Sequence, residues 1–508
     1  MKQFSKQERS WIFYDWANSV YATIIMAAVF PIYFSGVAAK AGQSGDVLWG
    51  YATSIATFVI ALSAPFLGAL GDFKGMKKKL FTVFLFIGVI FTLVMAITDN
   101  PTLMLVGYGL SYVGFAGGNL FYDSFLTDVS EKENMDKVSS YGYAMGYFGG
   151  STLAFLISIA MIMFGHYIGI DGTLAVKLSV VLTSLWWLGF SIPMLKNVHQ
   201  VHYVETEKSK LLSGALQNLK STVGNIFRDK RLLVFIIAYF FYIDGVGTVI
   251  HMATAYGSTL GLGSTMMIFA LLLTQLVAVP CSILFSRFSK FIGTAKMLLI
   301  GITIYIIVCL VGFYMGFTLE PHQAAYEADF RQVITENRGA LSDEAFAALS
   351  SEGFSNLSDA NRAELFAKGV ETVTAQFPEE QAAIESAASA AVTFLQDGAK
   401  AADYDGALGF STTMFWILSV LVGTSQGGIQ ALSRSFFGKL IPPEKSNEYF
   451  GFFDIFGKFA AVIGPALYAL FADLTGRSSI GILSLIVLFA IGWIVLFTQR
   501  KRFEDLEE

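Results

Sequence analysis

The sequence predicts an all-α membrane protein of twelve transmembrane helices arranged as two six-helix bundles. Three observations carry that expectation. The 508 residues are 54% hydrophobic and only 14% charged, with 47 Phe and 48 Gly, a profile far from that of soluble globular domains. Apolar runs of about 20 residues recur, each long enough to cross roughly 30 Å of hydrocarbon. Lys and Arg gather in alternate short loops, the asymmetry that orients membrane helices.

The runs lie near 11–36, 48–70, 79–97, 101–126, 139–165, 174–195, 232–255, 263–286, 295–317, 408–433, 449–472 and 479–498. The first lacks a small-residue cleavage site and is too long for a signal-peptide core, so it reads as a retained helix. One face carries Lys2, Lys6 and Arg9, then Lys74, Lys77, Lys78 and Lys79, and finally Arg500, Lys501 and Arg502, whereas the opposite short loops hold little beyond Lys40 and Arg477. Both termini are therefore expected in the cytoplasm, in a monomer embedded in the lipid bilayer of the cytoplasmic (inner) membrane. Cys281 and Cys309 fall inside predicted spans and report no redox compartment.

Internal similarity organises the chain further. DFKGMKKKL after helix 2 and KFIGTAKML after helix 8 share F-x-G-x-x-K-x-L, with Gly293 lying 218 residues after Gly75. The Gly pair at 117–118 in helix 4 has a counterpart at 427–428 in helix 10, an offset of 310. The halves are thus expected to be parallel repeats, and the growing offset places about 92 inserted residues between helices 8 and 10. The resulting division is 1–195 for the first bundle, 196–231 for a cytoplasmic linker, 232–317 with 408–508 for the second bundle, and 318–407 for the insert. The insert holds 16 acidic and 5 basic residues. It lies outside the cytoplasm by the count of crossings. Ser342 and Ser358, in two L-S-D-x-x-x-A-x-L segments, are natural helix N-caps. The insert is expected to be a spacer, a docking element for a protein partner, or an aid to solute capture. The linker stretch LLSGALQNLKSTVGNIF has the pattern of a surface-lying amphipathic helix.

GALGDFKGMKKK, between helices 2 and 3, resembles the loop signature of the major facilitator superfamily, keeping Gly68, Leu70, Asp72, Gly75 and Lys77 with Phe73 in place of the usual base. Glycine permits the tight turn, the aspartate can sit at the positive end of a neighbouring helix, and the lysines are expected in the anionic-lipid interface. In that superfamily the loop is a latch between halves. FYDWANSVYATII (13–25), SSYGYAMGYFGG (139–150), FFYIDGVGT (240–248), GTSQGGIQALSRS (423–435) and EYFGFFDIFGKFAAVIGP (448–465) resemble, more narrowly, the autophagy-related vacuolar amino-acid effluxers and their bacterial relatives. The likeness spans the membrane part and spares the insert. It implies the major facilitator fold, solute transport, and amino acids as the cargo.

Charges inside the spans then become the candidates. An aspartate within a span costs about 2.5–3.5 kcal/mol on insertion scales, so it needs a partner, water or a proton. Asp15 shares its helix face with Asn18 and Ser19. Arg434 on helix 10 and Asp123 on helix 4 belong near the same cytoplasmic end as Asp15. Arg434 therefore has two acidic candidates with which to close an inner gate, unless the pairing is static within one half. Asp244, with Thr248 and His251 following on its face, lies nearer the midplane, where a carboxylate in this fold commonly binds a proton or a substrate ammonium, unless it makes a structural hydrogen bond to a neighbouring helix. Gln426, Gln430 and Arg434 share a face of helix 10, able to hold a substrate carboxylate or simply to join helices. Asp454 and Lys458, at i and i+4, either neutralise each other or bring Lys458 to Asp72 during the cycle.

No cysteine or histidine metal spacing, phosphate loop or nucleophile elbow occurs, and nothing calls for an enzyme, a cofactor or nucleic acid. The expected function is alternating-access transport of a small polar metabolite, foremost an amino acid, coupled to protons. Export of another metabolite or drug, or a non-transporting receptor using the insert, are the competing readings.

Overall fold

The computed structural model describes residues 4–205, 211–357, 359 and 361–506. Among the described residues, twelve long helical rods run in alternating directions: α1 (Lys6–Ala28 with Phe30–Lys40), α2 (Gly45–Gly71), α3 (Met76–Ile97), α4 (Pro101–Ser124), α5 (Lys132–Ile168), α6 (Gly172–Asn197), α7 (Lys230–Thr259), α8 (Ser264–Ile292), α9 (Thr294–Glu336), α10 (Gly398–Leu440), α11 (Ser446–Thr475) and α12 (Ser478–Thr498). Among the described residues, ten helices and the bent α1 pair are long and apolar enough to cross a membrane. The exception is α4, which has the length but is rich in Gly, Tyr and Ser. Its buried Gly107, Gly114 and Gly117 let α3 approach closely. A Cβ at Gly114 would sit 2.2 Å from the Gly88 nitrogen of α3.

Local sequence sets the helix ends. Ser5 opens α1 with a reciprocal cap, its Oγ accepting the Glu8 N–H while Glu8 accepts the Ser5 N–H, which satisfies two N-terminal donors. Asn100, Asp171 and Asp229 accept backbone N–H groups in the same way at α4, α6 and α7. Gly75 adopts φ +73° between α2 and α3, a left-handed turn that a side chain would strain. Large apolar residues such as Ile32, Leu62 and Phe291 stay exposed on the outer face, as expected of a surface solvated by lipid tails.

The first six helices pack among themselves, as do the last six, and the two groups meet where α2 lies on α11 and where α5 lies on α8 and α10. The linker carries a helix over Leu211–Arg228 that rests on α2. Ahead of it, the Val204 N–H bonds the Asp72 carbonyl at 2.8 Å, tying the linker to the α2–α3 loop.

Two of the expected boundaries differ. α9 continues unbroken past residue 317 to Glu336 and α10 begins at Gly398, each 43 residues long and thus about 65 Å by the helical rise. Helix propensity in the Ala-rich stretch carries the chain on as helix once it leaves the hydrocarbon. Three short helices, Asp343–Asn356, Arg362–Gln376 and Gln381–Gln396, pack on these two prolongations around Tyr326, Phe330, Phe366 and Phe394. Ser342 caps the first of them through the Ala345 N–H; Ser358 lies outside the described residues.

Candidate functional site

Arg434 stands where the halves meet at one end of the bundle. Its guanidinium donates to Asp123 Oδ1 at 2.9 Å and to Asp15 Oδ2 at 3.2 Å, on α4 and α1, and to the hydroxyl and carbonyl of Ser139 on α5 at 2.9 and 3.1 Å. The Tyr122 hydroxyl donates to the same Asp15 oxygen at 2.7 Å. The rings of Trp11 and Tyr143 lie 4.6 and 4.5 Å from the guanidinium carbon, and their faces attract the cation. A buried guanidinium needs many acceptors in a planar fork, and both acids picked out in the sequence supply them. The pairing crosses the halves and is not internal to one.

Beside Arg434 lies a cavity of about 160 Å³ whose lining includes Asp123, Tyr143, Tyr239, Gln430 and Asp454. Asp15, Asn18, Gln426 and Asp244, expected along the same route, are not among its lining residues. Asn18 donates to Asn119 on α4 at 2.6 Å, because three residues past Asp15 turn the helix by about 300° and away from the second half. Gln426 is buried two turns from Arg434. Lys458 is bonded to Asp454 rather than to Asp72, the short i,i+4 path winning over the long one.

Asp244 occupies a separate place between α7 and α11. Its Oδ2 accepts the Gly464 N–H at 2.8 Å, next to Pro465 within α11. Asp244 Oδ1 and Thr248 Oγ1 are buried side by side, the hydroxyl placed to donate to the carboxylate, and both abut Gly464, where a Cβ would fall 2.0 Å from Thr248 Oγ1. His251 is exposed, its Nδ1 2.6 Å from the Gly247 carbonyl.

The α2–α3 loop also joins the halves. Asp72 accepts the N–H groups of Asn447 and Glu448 at 2.9 and 3.1 Å and the Asn447 amide at 2.8 Å, at the positive N-terminus of α11. Burial pushes the Asp72 carboxyl up to about 7, against the opposing pull of Lys77 and those donors. Lys77, expected in the lipid interface, is instead fully buried. Its ammonium donates to Asp128 Oδ2 at 2.6 Å, Ser446 Oγ at 2.9 Å and the Ser124 carbonyl at 3.3 Å, three acceptors that replace its water.

A second cluster escaped sequence reasoning. Asp136 at the start of α5 accepts from Ser435 at 2.6 Å and Thr294 at 2.7 Å and pairs with Lys439 at 2.8 Å. The repeat held the signal for it: Ser446 lies 310 residues after Asp136, the offset already seen for the glycine pairs. Nothing else in the sequence singles out Asp136 or Lys439.

Comparison with known proteins bears on the family and the fold. The family model described as "Vacuole effluxer Atg22 like" matches residues 47–330 and 405–502, leaving out most of the insert. The uncharacterized MFS-type transporter YxiO of Bacillus subtilis (strain 168) is 37% identical over 516 positions, covering 100% of this chain and 98% of that one. Autophagy-related protein 22 of Cryptococcus neoformans var. neoformans is 23% identical over 387 residues, 73% of this chain and 54% of its own. In fold, the chain is similar to the human organic anion transporter MFSD10, with TM-score 0.58, 11% identity and coverage of 97% and 99%. It is likewise similar to the E. coli fucose:proton symporter FucP, with TM-score 0.57, 12% identity and 98% of both chains. With the family model matched along most of both bundles and a full-length relative above 30% identity, the chain belongs to the Atg22-like vacuole effluxer family and is a transporter of the major facilitator type.

Proposed function

We propose that the protein moves an amino acid across the cytoplasmic membrane by alternating access coupled to protons, with both termini in the cytoplasm. The observation that carries this reading is Arg434, which binds Asp15 and Asp123 of the opposite half directly beside a cavity containing Gln430 and Asp454. Bonds of this kind close one face of the bundle in one state and must break in the other. The cavity, at about 160 Å³, is well below the roughly 300–1,000 Å³ of drug-sized pockets, which favours a small metabolite over a drug.

Asp244 is the coupling residue in this reading. Its Oδ1 is buried beside the Thr248 hydroxyl, in a place where a carboxyl is carried at lower cost as the neutral acid than as the ion, which supports a role in taking up a proton. Gradient-driven uptake and counterflow exchange in proteoliposomes test it. Asp244→Asn is expected to abolish accumulation driven by a pH gradient while leaving exchange intact. Accumulation that keeps its pH dependence in that variant excludes Asp244 as the coupling site.

A further inference from the structure

The charges that a cargo can meet are not those that the sequence displays. The Arg434 side chain is only 4% exposed, enclosed by its acids and rings, and that of Lys458 is 13% exposed against Asp454. Asp123 and Asp454 keep 31% and 28% of their side chains exposed. Arg434, Asp123 and Asp454 all line the cavity, and the two carboxylates offer its contents far more surface than the guanidinium does. Asp15, Asp123 and Asp454 outnumber Arg434 and Lys458 by one, so the ionised cluster carries a net charge of −1. Tyr239 and Phe453 stack at 4.0 Å and, with Tyr143, form aromatic walls of the same space, surfaces that attract a cation.

An independent observation points the same way. The insert, 318–407, holds 16 acidic and 5 basic residues, and it sits on the prolongations of α9 and α10 at the end opposite the closed face. Its basic side chains are already engaged. Arg338, Arg362 and Lys368 pair with Asp343, Asp405 and Glu364, while Arg331 and Lys400 lie over the rings of Phe354 and Phe394. An anionic field remains at the entrance used while the opposite face is shut, and such fields raise the local concentration of cations and their rate of arrival.

We infer that the cargo is an amine of net positive charge, a basic amino acid on the amino-acid reading proposed above, seated with its side-chain ammonium between Asp454 and Asp123 and drawn in by the acidic insert. Gln430 and the hydroxyls of Tyr143 and Tyr239 supply donors for the α-carboxylate.

The test uses the full chain in proteoliposomes and in detergent, with L-lysine, L-leucine, L-glutamate and putrescine as probes for uptake and saturable thermal shift. L-lysine is expected to half-saturate at least ten-fold below L-leucine, with L-glutamate inert. Asp454→Asn should raise the L-lysine half-saturation ten-fold or more, and Asp454→Glu should restore most of it. A stable, folded Asp454→Asn protein with unchanged L-lysine binding overturns the assigned seat. Preference for L-leucine or L-glutamate overturns the positive-cargo inference and leaves the amino-acid proposal standing. Putrescine without L-lysine keeps the positive cargo and overturns the amino-acid proposal, and silence from all four overturns both. For the insert, the KM for L-lysine should rise as ionic strength goes from about 0.01 to 1 M, over which the Debye length falls from about 30 to 3 Å. A variant with Glu336→Gln, Glu344→Gln, Glu371→Gln and Glu379→Gln should lose part of that rise, and a KM indifferent to salt in the native chain overturns the steering role.

Discussion

Arg434 holds two carboxylates at once, so truncating it leaves both without their counter-charge, Asp15 in a buried place. Breaking a buried pair in this way costs about 3–5 kcal/mol. Arg434→Ala is expected to unseal the face and abolish transport, and Arg434→Lys to recover little, because an ammonium cannot reproduce the fork that reaches Asp15, Asp123 and Ser139 together. Thiol labelling of Ser140→Cys, a buried position on α5, in a background with Cys281 and Cys309 replaced by Ser, reports the opening. Unchanged labelling in Arg434→Ala would remove the residue from the gate. Asp72 adds a dependence on pH. Its carboxyl is raised from 3.8 to about 7 in the closed face and returns to an ordinary value when the loop opens to water. The closed state therefore binds more protons between about pH 4 and 7 and loses stability as pH rises through that window. The Tm difference between wild type and Asp72→Asn, which cannot titrate, should fall across that range, and parallel profiles would contradict it.

At the level of elements, close packing of α1 against α5 positions the gate. Gly142, Gly146, Gly149 and Gly150 follow one another along α5 where α1 leaves no room for a side chain. A Cβ at Gly142 would lie 2.4 Å from Asp15 Oδ2 and 3.1 Å from an Arg434 nitrogen, and one at Gly150 would lie 2.4 Å from the Val20 nitrogen. Gly142→Ala should therefore cost about 1–3 kcal/mol by overpacking and raise Ser140→Cys labelling. Gly109→Ala, with open space at its Cβ, should gain about 0.5–1 kcal/mol from helix propensity. Equal Tm changes in the two variants would refute the packing argument. The glycines stood out in the sequence as a motif, but their partner helix did not, since spacing along one helix says nothing about which neighbour fills the gap. Asn18 failed for a related reason: a polar stripe three residues wide faced two neighbours, and α4 took one of them.

Across the whole molecule, the closed face is sewn by equivalent bonds in the two halves. Lys77, at the start of α3, joins Asp128 and Ser446, while Thr294, at the start of α9, stands with Lys439 and Asp136. The two clusters share no residue, so their effects should add to within about 0.5 kcal/mol. Lys77→Met and Lys439→Met are each expected to shift the population towards the opposite opening in part, and together to abolish the closed state. Ser140→Cys labelling in the single and double variants measures this, and a double variant no more reactive than either single would show that one cluster alone holds the face. The buried lysine was illegible in the sequence because four lysines within six residues, Lys74 and Lys77 to Lys79, look alike until one of them meets acceptors from another half.

Hydrophobic runs, alternate basic loops and the 218- and 310-residue offsets determined the membrane setting, the helix order and the place of the insert. These are properties of local composition and of duplication, and they survive without knowledge of any contact. Tertiary structure alone decided that Arg434 is shared by two acids, that Lys77 is buried, that Lys458 stays with Asp454, and that Asp123 and Asp454 are more exposed beside the cavity than Arg434. Each of these depends on which side chains from helices distant in sequence compete for the same few donors and acceptors in a space that water does not fill.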